Sequence, residues 1–159
     1  MNRPIRTTLA ELREIRALAK LTLDGHLWLL PQAEIHSLES PLDIDQEVQA
    51  PRGIGAIALG GEWWPVYCLS GELRLLPQLP DSRRICALLD NGADRFGLVC
   101  DQVETLAETP PLLALPACMG TPDSPIQALA PLDRGLGCVT NTEHLAALLA
   151  TLPESTGGH

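Results

Sequence analysis

A chain of 159 residues with 45% hydrophobic content can bury the core of one domain, or of two small subdomains that share a core. Its formal net charge of −9 and its 3% aromatic content exclude a nucleic-acid binder, which needs surplus Lys and Arg and stacking platforms. No apolar run is long enough to span a bilayer and no charged-then-apolar leader opens the chain, so the expectation is a cytoplasmic protein without membrane insertion.

Residues 1–17 form a basic segment with Arg3, Arg6, Arg13 and Arg16, and Lys20 follows closely. Thr8-x-x-Glu11 is a capping-box pattern, and Leu9, Leu12, Ile15 and Ala19 keep helical spacing. The pattern predicts a short amphipathic helix from about Thr8 to Leu18, serving either as a lid on the domain or as a partner helix and basic arm. From Leu18 to Leu23 apolar and polar residues alternate, Asp24-Gly25 makes a turn, and His26 to Leu30 is a second apolar run ended by Pro31. This is a β-hairpin signature. Ala33 to Leu38 continues as a strand, and the acidic, proline-bearing residues 39–53 read as a connecting loop with room for a helical turn.

The stretch the rest is organised around is Gly55 to Leu69, GAIALGGEWWPVYCL. Two short apolar runs split by Gly60-Gly61 predict a hairpin whose turn needs positive φ. Pro65 cannot donate to a sheet ladder, which points to a sheet edge or a bulge for the second run. Three of the five aromatics lie here, Trp63, Trp64 and Tyr67. Alternation sets Trp64 with Val66 and Cys68 on a buried face, and Trp63 with Tyr67 on the opposite one. An exposed Trp63–Tyr67 pair would be an interface anchor, unless the N-terminal helix covers Trp63.

Residues 70–82 are a loop. Arg83 to Leu89 reads as a buried strand, Asp90-Asn91-Gly92 as its turn, and Phe96 to Cys100 as the paired strand running on through Leu106. Five prolines make residues 107–125 a loop. Ile126 to Leu132, a turn at Asp133 to Gly135, and Leu136 to Val139 give the last strand pair, and Thr142 to Leu152 is a C-terminal helix capped by Thr140, Asn141 or Thr142. Residues 18–150 thus form the folded domain and 151–159 a tail. Many short strands at regular intervals predict small β-barrels closed by a terminal helix.

The five cysteines form no C-x-x-C pair and mostly sit in apolar runs, as small buried hydrophobes do. The four histidines are scattered, with none at metal-ligand spacing. Cys100-Asp101 and His36 are the best catalytic material, but a carboxylate directly after a buried strand more often accepts backbone N–H bonds. No catalytic residue, metal or cofactor is expected.

At this point the chain resembles the CheW-type coupling proteins of bacterial chemosensory systems, from roughly Leu18 to Leu149. The family segment G-x-x-N-L-R-G-x-x-x-P-V-x-D-L is matched in register by Gly55 to Leu69, and its Gly-x-x-Val-Asp segment by Gly97 to Asp101. Trp28 to Leu30 with Ile35, and Val139 to Leu145, resemble two further pieces of the pattern. The resemblance implies two small SH3-like β-barrels around a shared core, and an adaptor that is not an enzyme. Such an adaptor bridges chemoreceptor tips to the regulatory domain of a CheA-type histidine kinase, which has the same fold. It also implies that Ile35, Leu38, Gly55 and Gly97 lie on or near a receptor groove between the barrels, with Asp101 at the end of the matching segment. The family's Asn, Arg and Asp are here Ala58, Gly60 and Cys68, so a partner contact through that arginine has no equivalent. Two alternatives stand beside the flagellar type of system. One is a divergent coupling protein of a type IV pilus chemosensory system; the other is a small-molecule-binding barrel unconnected with receptors.

Overall fold

The computed structural model describes residues 17–116, 118 and 124–152. The helix predicted over 8–18 therefore lies outside the described residues up to position 16, as does the tail beyond 152, while Leu18 itself opens a strand. Among the described residues ten strands make two five-stranded sheets, followed by one α-helix. The first sheet starts from the D-G hairpin, β1 (Leu18–Leu23) and β2 (His26–Pro31), where Asp24 and Gly25 take φ of 50° and 84°. It is completed by β8 (Gln102–Thr105) beside β1, and by β9 (Ala128–Leu132) and β10 (Gly135–Val139), with β10 parallel to β2. The second sheet holds β3 (Ile35–Glu39), β4 (Gly55–Leu59), β5 (Glu62–Tyr67), β6 (Ile85–Asp90) and β7 (Arg95–Cys100) in the order β3-β6-β7-β5-β4. The helix α1 (Thr142–Thr151) is capped by Asn141, whose side chain accepts the His144 N–H. The architecture is mainly β, with two sheets and a terminal helix, as expected.

Alternation explains why β6 and β7 read as unbroken apolar runs. Their odd and even positions go to different cores, because the second sheet is covered on both faces. Ala87, Leu89, Phe96, Leu98 and Cys100 join Ala19, Leu21, Leu23, Trp28 and Leu30 of the first sheet, with Leu145 and Leu149 of α1, in the core shared by the two sheets. Cys86, Leu88 and Val99 face the other way, onto Ile44, Ile57, Trp64 and Val66. That second core lies inside a strongly curled sheet: Trp64 of β5 meets His36 of β3 with ring centroids 5.2 Å apart, although β6 and β7 separate their strands. The first sheet has its own outer core of Leu18, Leu29, Leu112, Ala128, Ala130 and Val139.

Two sequence expectations are corrected. β5 is internal to its sheet, with β4 outside it, so Pro65 is at neither an edge nor a bulge. Its parallel ladder to β7 is short and begins at Val66, one residue past the proline, so the missing donor costs no pairing there. The long strand expected from Phe96 to Leu106 breaks at Asp101, and the chain crosses from the second sheet to the first between β7 and β8.

Candidate interaction surfaces

The residues singled out from the sequence fall into three places. Gly55, Val66 and Gly97 are lateral neighbours across β4, β5 and β7, and the row continues to Leu88 of β6 and Ser37 of β3. Val66 and Leu88 are fully buried and point into the curl. A methyl group on Gly97 would stand 2.9 Å from Cys86 Sγ and 3.0 Å from Leu88 and Val66 side-chain carbons. On Gly55 it would come within 2.5 Å of the Asp45 carbonyl oxygen. Both glycines are buried and let the sheet curl tightly, so neither offers a side of its own to a partner.

On β3, which is an edge strand, Ile35 is half-buried against the shared core and Leu38 is 45% exposed. Three residues beyond β3's end, Leu42 is 94% exposed in the 3-10 turn Pro41–Asp43. On the other edge, the β4–β5 hairpin turns at Gly60 and Gly61, with φ of 62° and 80°. Trp63 is 55% exposed and sits opposite the exposed Ala58. Ala56 turns its N–H and C=O outward to Asp45, at 3.1 and 2.8 Å. Ala58 shares that parity beyond the bridge, so its backbone groups face outward beside the Trp63 ring.

Tyr67 does not join Trp63. It is half-buried and edge-on to Phe96, with centroids 5.8 Å apart, inside the reach of the shared core. Burial raises its phenol pKa, with Arg52 opposing. Two pleats further along the same face the hairpin has left that core, which is why Trp63 is uncovered. Trp64, on the other face, is enclosed between His36 and the Arg95 guanidinium, the latter 5.5 Å from its ring centre. Arg95 is held there by Glu62 at 2.6 Å and Asp90 at 3.2 Å.

Asp101 belongs to a buried clamp that sequence reading missed. Arg83, with a fully buried side chain, lies 3.0 Å from Asp24 through Nη2 and 3.0 Å from Asp101 through Nε. It also donates to the carbonyls of Val99 (2.8 Å) and Leu69 (2.7 Å). The Asp24 N–H and the Ser82 hydroxyl donate to Asp101 at 2.8 and 2.9 Å, and Gly71 N–H donates to Asp24. The cluster ties the β1–β2 turn of one sheet to the end of β7 in the other. A pair of arginines just before an apolar run was its signal, one that the strand assignment for Arg83 concealed.

The catalytic material does not assemble. Cys100 is buried, its thiol pushed above the ordinary range by that burial, and it donates to the Leu98 carbonyl at 3.4 Å. Asp101 is committed to Arg83, and His36 lies on Trp64. No cluster of potential metal ligands occurs among the described residues. A cleft of about 520 Å³ opens beside Gly55, lined by Gln46, Val48, Pro51, Ile54 and Leu76, with Arg52 its one charged lining residue. Arg52 Nε is engaged by the Leu152 carbonyl at 2.8 Å.

The sequence matches the CheW-like domain family over residues 18–149. A search of curated proteins finds no match. Among solved structures the chain is similar to the scaffolding protein TtCheW from Thermoanaerobacter tengcongensis, with a TM-score of 0.66 and 16% identity, covering 82% of this chain and 91% of that one. At that identity the likeness concerns the fold alone.

Proposed function

Because the chain belongs to the CheW-like domain family, a family of non-catalytic chemotaxis scaffolds, we propose that it couples chemoreceptor tips to the regulatory domain of a CheA-type histidine kinase. The observation that carries this reading is where the exposed apolar side chains of the second sheet stand. Leu38 lies on one edge strand and Trp63 on the strand just inside the other edge, while the strands between them are closed on both faces.

In this reading Ile35 and Leu38 line the receptor-binding face, and Gly55 and Gly97 shape it from within by letting the sheet curl. The β4–β5 tip, with Gly60, Trp63 and the outward-facing backbone of Ala58, receives the like-folded kinase domain by edge pairing. Trp63 anchors that contact in place of the family's arginine, whose position Gly60 leaves empty of side chain. Tyr67 and Asp101 act from behind, one packing the hairpin onto the core and the other fixing the two sheets.

The test is calorimetric titration of the full chain with a CheA-type regulatory domain and, separately, with a receptor cytoplasmic fragment. Binding to both, weakened about tenfold for the kinase domain by Trp63→Ala and for the receptor by Leu38→Glu, is the expected result. Binding to neither partner, or equal losses for both partners from either variant, refutes the assignment.

A further inference from the structure

A second hollow lies between α1 and the ends of β5 and β7. It holds about 340 Å³, and Arg52, Tyr67, Asp94, Phe96 and Leu149 are among the residues that line it. Small-molecule sites begin at about 300 Å³. From the helix it is lined by Ala146, Leu149 and Ala150, whose spacing of three and four puts them on one face. Two of these three are alanines, so the helix meets the sheet there without side chains long enough to fill the space. Phe96 and Leu149, each 4% exposed, give it an apolar floor.

Three polar groups border this floor without being used up by the fold. Arg52 donates through Nε to the Leu152 carbonyl at 2.8 Å, which fixes the plane of its guanidinium. Its backbone takes a φ of 67°, a costly setting for a residue other than glycine. Nη1 and Nη2 have no partner among the described residues, and together they form a fork that a carboxylate takes bidentately. The Tyr67 hydroxyl likewise makes no hydrogen bond among the described residues. Burial raises its pKa, which keeps it a donor, and the opposing pull of Arg52 shows that the two groups act on one another. Asp94 accepts from Asn91 through Oδ2 at 3.2 Å, which leaves Oδ1 open, and it has no ion pair among the described residues. Arg95 is already committed to Glu62, Asp90 and the Trp64 ring. The hollow therefore offers one cation, one anion and one hydroxyl beside an apolar floor. The larger cleft beside Gly55 shares Arg52 but brings no second charge.

We propose that this hollow binds a free α-amino acid with an apolar side chain, in its zwitterionic form. The carboxylate sits on the Arg52 fork and accepts from the Tyr67 hydroxyl. The ammonium group donates to Asp94 Oδ1, and the side chain lies on Phe96 and Leu149. The pairing of charges selects this class. A simple carboxylate would cover Asp94 and leave it unpaired, and a simple amine would do the same to Arg52. A dianion would bring its second charge against Asp94. The site uses neither Leu38 nor Trp63, so it stands whether or not the adaptor reading holds.

The test uses L-leucine as the probe, titrated into the isotope-labelled full chain and followed through amide signals. Saturable shifts centred on Tyr67, Phe96 and Ala146 to Ala150 are expected. Isocaproate is leucine without the ammonium group, and isoamylamine is leucine without the carboxylate. Each should bind at least about tenfold more weakly, the loss that one charged hydrogen-bond partner brings. Because these analogues act on the unaltered chain, the test does not depend on any variant folding. Arg52→Gln and Asp94→Asn, with unchanged urea midpoints, should each weaken leucine binding by about tenfold as well. No saturable shift by about 10 mM leucine, or shifts centred elsewhere, overturns the proposal. So does equal binding of leucine and either analogue, or an unchanged leucine affinity in either variant.

Discussion

Replacing Arg83 by Met should be among the most damaging single substitutions in the chain. Methionine retains most of the apolar volume, so the loss is chiefly polar. The carbonyls of Val99 and Leu69 each lose a charged donor, and both residues are fully buried. An unsatisfied buried group costs about 1–3 kcal/mol. The carboxylates contribute less, because Asp24 is 40% exposed and water screens its charge, while the 19% exposure of Asp101 leaves it with two other donors. The total comes to about 3–5 kcal/mol, the range found when one partner of a buried ion pair is removed. Against a whole-domain stability of about 5–15 kcal/mol this is severe. Urea unfolding followed by tryptophan fluorescence measures it directly, and Asp24→Asn, at the exposed end of the clamp, should lose only about 1 kcal/mol. A loss under ~1 kcal/mol for Arg83→Met would show that the clamp is dispensable and that the shared apolar core alone fixes the two sheets.

Trp63→Ala should leave the urea midpoint nearly unchanged, since the ring is half in solvent and touches neither core cluster, while weakening kinase-domain binding about tenfold. Gly97→Ala should do the reverse, destabilising by about 1–3 kcal/mol because its methyl would crowd Cys86, Leu88 and Val66; unfolding midpoints decide it. Burial raises the Cys68 thiol to about 11 and the Cys86 thiol to about 12, from an ordinary value of 9.0. The unfolded chain therefore ionises first, so this contribution to stability is complete below pH 9 and is lost as pH rises through the folded values. Unfolding midpoints should fall with pH above 9, and fall less in Cys86→Ala.

Local pattern told most of this fold in advance. The two hairpins were legible because Asp24-Gly25 and Gly60-Gly61 supply the positive φ that two-residue turns require, and because the flanking residues alternate. Alternation also set Trp64 inward and Trp63 outward. What alternation cannot supply is how far a core extends along a face. Tyr67 and Trp63 have the same parity, and only the position of Phe96 in a distant strand decides that one is covered. The position of Pro65 failed for a related reason: strand order is a long-range property, and a proline at the start of a short ladder is compatible with an internal strand. Arg83 was read as part of a strand because its partners, Asp24 and Asp101, are brought to it by two separate chain reversals.

Burial of the second sheet on both faces also explains where an adaptor of this design can carry its contacts. From Cys86 to Leu89 in β6 and from Phe96 to Cys100 in β7 every position is buried, so none of these can change without cost to the fold. Within the second sheet the exposed large apolar side chains, Leu38 and Trp63, therefore stand on β3 and the β4–β5 hairpin, where the proposed function puts the partners. The edge at β4 is half closed already, since Asp45 pairs with Ala56 and leaves the pairing groups of Ala58 beside Trp63. A short open edge next to one aromatic ring admits a partner strand in a single register, whereas a long bare edge would invite indiscriminate pairing. On the proposed function, glycine in place of the family's arginine at position 60 exchanges a charged fork for the apolar Trp63 anchor on the same hairpin, and kinase-domain binding measured at about 50 and about 500 mM salt should then change little.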